Sequence, residues 1–368
     1  MGHIKPSRLP LADLCRTACE CVFRLRPRPN LGQLAAIPPE IVLEVMRHLD
    51  DVSQFSLALT CRTFFRQYLP PDQSLGASSK QQLLFLLEKD VPGLYYCFCC
   101  EILHRWKNKS WACAPPTKYG LGGVAYEDCL YGSSSWHLSG ILLHFVVART
   151  IMNRHLLGRK HGLSLSALHF TDTRRSQCGG SRSSMAWKAR VIDDELVLRC
   201  ATKIWNKRQD ARALRRWVDE KWHSVCAHLQ ADKCDSEDRE RVWSGRGWST
   251  ITQVDELRKD TSSPTLFVPC SKSAKSCPRC MTDYCIDIEE TERTGWTIKI
   301  TTYYNLGSLR TPQDWQWETH RAQNGAKSSP RILRDPEEAG PGVVRRKWTA
   351  GDGMMLPPEG EWARLRRL

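Results

Sequence analysis

The stretch that decides how this chain is organised is "LAAIPPEIVLEVMRHLDDVSQFSLALTCRTFFRQYLP", Leu34 to Pro70. Pro38 and Pro39 suit the first turn of a helix, where a missing N–H leaves no bond unmade, and Glu40 complements the positive end of the helix dipole. Ile41, Val45 and Leu49 then recur every four residues and form one apolar helix face. "DDVS" interrupts the pattern. A second apolar set, Phe55, Leu57, Leu59, Phe64 and Phe65, predicts another helical piece with Ser53 as its start signal, closed by Pro70 and Pro71. Next, "SSKQQLLFLLEKD" predicts a helix capped by Ser78 or Ser79, with Leu83, Leu84, Leu86 and Leu87 as a broad apolar face and "VPG" as its stop.

Outward from this helical unit the texture changes. Residues 1–33 are expected to form a mobile arm ended by the Pro-rich "RPRPN". Residues 34–94 hold the helices. Residues 95–320 are aromatic, Cys-rich and punctuated by glycine, and predict an α+β domain. Within it, "SSWHLSGILLHFVVARTIMNRHLLG" predicts a helix ending at Gly158. "AWKARVIDDELVLRCATKIW" predicts a hairpin turning at Asp193 and Asp194, and "DYCIDI" with "GWTIKITTYYNLG" predicts a second. "TDTRRSQCGGSRSSM", Thr171 to Met185, carries the signals of a surface loop. Residues 321–368, rich in Pro, Gly and charge, predict a basic, disordered tail.

Composition narrows the function class. With 41% hydrophobic residues over 368 positions, the chain can bury one large core or two ordinary ones. No apolar run reaches the length of a membrane span, so no membrane partner is expected. The first residues show no apolar stretch of signal-peptide length, since Asp13, Arg16 and Glu20 interrupt it, and an intracellular location in cytoplasm or nucleus is expected. There the 17 cysteines are kept reduced, which favours metal ligation over a disulfide framework. The net charge of +14 lies largely in the terminal segments, and nucleic acid is not the expected partner.

The residues Ile37, Pro38, Glu40, Ile41, Val45, Leu49, Leu57, Leu59, Cys61, Arg62 and Phe64 together spell a recognisable pattern. It resembles an F-box: an apolar-Pro-x-Glu-Ile opening, a leucine closing the first helix, then Leu-x-x-x-Cys-Arg-x-Phe. Ile37 stands where leucine is usual. The resemblance continues downstream, where "LYYCFCCEILHRW", "CPRCMTDYCIDI" and "YYNLGSLRTPQDWQW" are similar to a group of fungal F-box proteins. Leu309 departs from that pattern, because such proteins often carry cysteine there.

The resemblance implies a substrate receptor of an SCF-type ubiquitin ligase, itself without catalytic activity. Ile37, Pro38, Ile41, Val45, Leu49, Leu57, Cys61 and Phe64 would face the Skp adaptor, and the adaptor would connect the chain to a cullin. The downstream domain would bind a target protein whose identity the sequence leaves open. Two other readings stay open: an F-box protein acting outside any ligase, and a zinc-stabilised nucleic-acid-binding protein.

Metal chemistry is suggested by two CxxC pairs, Cys97 with Cys100 and Cys277 with Cys280. Four thiolates in a tetrahedral array are what a structural zinc ion requires, and the fold would have to bring the distant pairs together. His104, Cys226, His228, Cys270 and Cys285 are rival ligands, while Cys99 lies between two ligands and is left out. The expected fold class is therefore α+β: a small all-helical unit followed by a zinc-stabilised domain with hairpins. No nucleophile-base signature, phosphate-binding loop or dinucleotide fingerprint accompanies the cysteines.

Overall fold

The computed structural model describes residues 37–60, 62–68, 75–105, 135–138, 141–175, 180–220, 223–226, 229–231, 249–250, 267, 269–277, 279–292, 295–320 and 340–350. These belong to two compact units, Met1–Asn108 with Leu157–Gly162, and Lys109–Leu156 with Leu163–Leu368.

The first unit opens with α1 (Pro39–His48), preceded by Pro38 at the N-cap and carrying Glu40 in its first turn. The second helix, α2 (Asp51–Ala58), is started by Asp50, whose carboxylate accepts the Ser53 N–H at 2.7 Å. Ser53 is therefore the capped residue and Asp50 the cap, the reverse of the expected start signal. Gln54 reaches back from α2 and donates to the carbonyls of Met46 and Leu49, both at 2.9 Å. This adds a second donor to the Met46 carbonyl, which also accepts the Leu49 N–H at 3.2 Å, and pairs the Leu49 carbonyl past the end of α1.

Helix α3 (Arg62–Tyr68) and helix α4 (Ala77–Asp90) follow. Gly76, not Ser78 or Ser79, stands at the N-cap of α4. Two cores result. Val42, Met46 and Phe64 meet in one, with Leu49, Leu57 and Tyr68 packed against them. The other joins Val52, Phe55, Leu59, Leu83, Leu84 and Leu87 to Leu94 and Tyr96.

Those last two residues lie on a hairpin, β1 (Leu94–Cys97) and β2 (Ile102–Arg105). The hairpin thus belongs with the helices, and the expected boundary after residue 94 falls inside a core. Buried Glu88 on α4 fastens the two parts together, its Oε1 accepting the Tyr96 N–H at 3.0 Å. The first unit is accordingly helical plus one hairpin, rather than all-helical.

The second unit is built on a six-stranded antiparallel sheet. Its members are β5 (Phe170–Arg175), β6 (Ser181–Ile192), β7 (Glu195–Asn206), β11 (Cys270–Ser276), β12 (Thr282–Thr291) and β13 (Gly295–Asn305), in the order β11-β12-β13-β7-β6-β5. Both predicted hairpins are present. The β6–β7 turn places Asp193 and Asp194 at φ 51° and 56°, the left-handed conformation that a two-residue hairpin turn requires and that Asp tolerates. Strand β5, by contrast, occupies part of the stretch expected to be a loop.

Around this sheet lie smaller elements: β3 (Ser135–Leu138), β4 (Ile141–His144), α5 (Phe145–Leu157), α6 (Ala211–Glu220), β8 (His223–Cys226), β9 (Leu229–Ala231), β10 (Ser249–Thr250) and α7 (Trp315–Thr319). The segment expected to be one long helix is instead the β3–β4 hairpin followed by α5, which stops at Gly158 with φ 104°. Wholly buried Trp317 meets Phe145 edge-on with ring centroids 5.2 Å apart, and Trp187 stacks on Tyr304 at 5.7 Å.

The tail expected to lack structure contributes α8 (Val343–Ala350). Its Val344 and Trp348 are buried with Val197, Met281, Cys285 and Tyr303 of the sheet. Leu309, at the position where a cysteine was noted in similar sequences, is a buried side chain with φ 57°. Among the described residues no helix is long and apolar enough to cross a membrane.

Candidate functional sites: an apolar helix face and two thiol clusters

Helix α1 turns only a narrow edge inward. Val42 and Met46, one turn apart, are buried against Phe64. At 100° per residue, Ile41 and Val45 then project along one flank of that edge and Leu43 along the other. They remain in solvent: Ile41 is 55%, Leu43 48% and Val45 47% exposed, and Ile37 just before the helix is 38% exposed. Among the described residues only one other large hydrophobic, Leu86, is classed as exposed. So concentrated an apolar patch on one short helix is the feature by which an interface is recognised.

The residues expected to touch an adaptor therefore divide. Ile37, Pro38, Ile41 and Val45 are exposed, Leu49 and Leu57 are half-buried against the Val42 core, and Phe64 is buried within it. Phe64 holds the helices in place rather than offering a surface, its ring meeting Tyr68 edge-on at 5.3 Å. Cys61 lies outside the described residues. Leu43 was missed by the sequence reading, because the four-residue spacing of Ile41, Val45 and Leu49 selects one flank of α1 only.

The first thiol cluster sits on the β1–β2 hairpin. Cys97 ends β1 opposite Ile102, and His104 lies opposite Tyr95, so Cys97 and His104 share a face as diagonal neighbours. Glu101, with φ 54°, closes the turn by donating its N–H to the Cys97 carbonyl at 2.8 Å, which folds Cys100 back toward the strand. Cys100 Sγ lies 2.9 Å from His104 Nε2. The imidazole is held by Tyr95, stacked with it at a centroid distance of 5.5 Å. Sulfur and nitrogen donors of Cys97, Cys100 and His104 all lie within 4.8 Å of one another. The Cys100 thiol, followed by His104, hydrogen-bonds the Cys97 sulfur and holds it against burial down to about 4. Cys99 is exposed and outside the cluster.

The second cluster is deeper. The CPRC turn between β11 and β12 is closed by the Cys277 N–H donating to the Thr282 carbonyl at 2.8 Å and the Thr282 N–H donating to the Cys280 carbonyl at 2.7 Å. Strand β8 brings Cys226 to this turn and is anchored by Tyr304, whose hydroxyl donates to the Val225 carbonyl at 2.6 Å. Cys226, Cys277 and Cys280 are all buried, with their sulfurs within 4.8 Å of one another. Two polar groups point at the sulfurs: the Arg279 N–H donates to Cys277 Sγ at 3.4 Å, and Thr282 Oγ1 is 3.1 Å from Cys280 Sγ. Burial first, and the neighbouring Cys226 and Cys277 sulfurs second, push the Cys280 thiol well above its ordinary value.

Each CxxC pair is thus joined by one of the rival candidates, His104 beside Cys97 and Cys100, and Cys226 beside Cys277 and Cys280. Cys285 is buried against α8 instead, where burial lifts its thiol to about 11. Cys270 begins β11, with its side chain outside the description, and His228 lies outside the described residues. Both trios consist of the soft and borderline donors that select zinc-like ions.

Comparison with known proteins bears on the first of these sites. Residues 34–66 match the family model described as the F-box domain, which covers α1, α2 and most of α3. No curated protein and no solved structure gives a match.

Proposed function

We propose that this protein is the substrate receptor of an SCF-type ubiquitin ligase, with its F-box holding a Skp adaptor and its second unit holding a target protein. F-box domains commonly serve as adaptor-binding modules. The observation that carries the proposal is the exposure of Ile37, Ile41, Leu43 and Val45 on a helix whose inner edge is already filled by Val42 and Met46. Each of these side chains is already about half covered, so completing its burial contributes roughly half of the 1.5–3 kcal/mol of full burial toward association.

Half-buried Leu49 and Leu57 complete the proposed adaptor contact, to which Cys61 is assigned by the sequence pattern alone. In this role the chain performs no bond chemistry. It holds a target near a recruited ubiquitin-conjugating enzyme, so that transfer to lysine becomes effectively unimolecular. Structural zinc belongs to the same proposal, with Cys97 and Cys100 as candidate ligands in the first unit and Cys277 and Cys280 in the second. The resemblance to fungal F-box proteins and a place in the cytoplasm or nucleus are consistent with this role.

Co-expression of the full chain with a Skp adaptor and a cullin scaffold tests assembly. A stoichiometric complex that survives size exclusion is the expected result. An F-box chain that folds and binds the adaptor but never recruits the cullin acts outside a ligase. One that binds no adaptor contradicts the proposal.

A further inference from the structure

We propose that the two units carry separate zinc centres, Cys97–Cys100–His104 in the first and Cys226–Cys277–Cys280 in the second. This does not depend on the adaptor role.

The geometry suits the ion. Zinc–sulfur bonds of about 2.3 Å in a tetrahedral array space the ligand atoms by just under about 4 Å. Both trios come near that spacing, their donor atoms all lying within 4.8 Å of one another, each trio supplies three of the four tetrahedral positions, and none of these cysteines is in a disulfide. Each trio is assembled by a local device. In the first, a tight turn at left-handed Glu101 returns Cys100 toward His104. In the second, Tyr304 fixes the end of β8 so that Cys226 faces the CPRC turn.

Chemistry favours a metal over idle thiols. Three sulfurs crowded in one dry site leave at most weak hydrogen bonds to satisfy each other, whereas a divalent cation would take all three as thiolates. Binding then releases the thiol protons, and the Cys–Zn bonds replace S–H bonds one for one. A tri-thiolate zinc centre retains one excess negative charge. The Arg279 N–H at Cys277 and the Thr282 hydroxyl at Cys280 are placed to hydrogen-bond that charge. The first centre, with two thiolates and a neutral imidazole, is neutral overall and needs fewer such donors.

The centres differ in access. All three ligands of the second are buried, whereas Cys100 and His104 of the first are only half-buried. A chelator therefore reaches the first ion sooner. Zinc binding of the kind that stabilises small domains would let each centre hold its own unit: β1 to β2 under α4 in one, and β8 to the β11–β12 turn in the other.

The test uses the full chain. Metal analysis of purified protein is expected to give two zinc ions per chain. Timed chelation with thiol labelling and mass spectrometry is expected to release one ion quickly, exposing Cys97 and Cys100. The second ion is released slowly, exposing Cys226, Cys277 and Cys280, while Cys99 labels from the outset. His104→Ala and Cys226→Ser should each leave one ion, and the labelling on wild-type protein decides the matter if Cys226→Ser fails to fold. A single ion lost on both Cys97→Ser and Cys280→Ser overturns the proposal in favour of one shared centre. Zinc-free protein with five freely labelled cysteines overturns it outright, and so does a Cys226→Ser protein that keeps two ions.

Discussion

Asp283 holds the start of helix α8 through Arg345: its Oδ2 accepts the Arg345 N–H at 2.8 Å, while Oδ1 accepts the Gly342 N–H at 3.2 Å. Ser276 also donates its hydroxyl to this carboxylate and receives the Gly342 N–H at 2.9 Å. A side chain on the sheet thereby caps a helix far along the chain. Asp283→Ala removes the acceptor of the Arg345 N–H, while the Gly342 N–H keeps Ser276, at about 1–3 kcal/mol if the orphaned donor stays buried. Hydrogen exchange is expected to show α8 amides losing protection while β6 and β7 keep theirs.

The same carboxylate gives a pH dependence. Burial, as the leading cause, raises Asp283 above its ordinary 3.8, although its hydrogen bonds pull the other way. The folded state therefore binds this proton more tightly than the unfolded chain. Its contribution is fully present below 3.8 and is lost as pH rises through the raised folded value. Denaturation of wild type and Asp283→Asn across that window should show the wild-type advantage shrinking as pH rises. A constant difference would count against a raised Asp283.

Glu88 links helix α4 to the hairpin that bears Cys97. Because its carboxylate receives the buried Tyr96 N–H, Glu88→Ala should cost about 1–3 kcal/mol, whereas Glu88→Gln keeps an acceptor oxygen and should cost less. Chemical denaturation of both variants checks this order. Equal stability of the two would show that the hydrogen bond contributes nothing.

Gly307 is a position where a methyl group does not fit. Its φ is +76°, and an added Cβ would lie 2.9 Å from Gln316, whose amide donates to Glu195 at 3.0 Å. Gly307→Ala is expected to cost about 1–2 kcal/mol for the left-handed backbone. Displacing Gln316 adds to this. A lowered denaturation midpoint with an unchanged slope is the expected result.

How much of this was legible beforehand depends on whether the cause was local. Pro38, Glu40 and the four-residue spacing of Ile41, Val45 and Leu49 give α1, and the aspartates at 193 and 194 give a hairpin turn, because both signals are carried by adjacent residues. The run "SSWHLSGILLHF" was misassigned as helix, since a short apolar stretch fits a buried strand equally well. Strand β5 and helix α8 were hidden for other reasons. Strand β5 pairs with its neighbour β6 inside a Gly- and Ser-rich run that carries loop signals, whereas α8 owes its start to Asp283, far along the chain. The ligand trios divide the same way: CxxC is visible at a glance, but His104 becomes a ligand only through hairpin register and Cys226 only through the anchoring of β8. Likewise, periodicity groups Phe64 with the residues expected to face an adaptor, and only packing shows that it is buried with Val42 and Met46.

That separation between Phe64 and the exposed flank of α1 gives the most direct measurement. Ile41→Asp with Val45→Asp places two charges on side chains about half in solvent, so folding should change by no more than about 0.5 kcal/mol per site. At an apolar interface the same charges would be desolvated without partners. Titration of full-length protein with purified Skp adaptor is therefore predicted to show saturable binding for wild type and at least a hundredfold loss for the double variant, with both proteins equally folded by circular dichroism. Undiminished adaptor binding by the folded double variant would contradict the account.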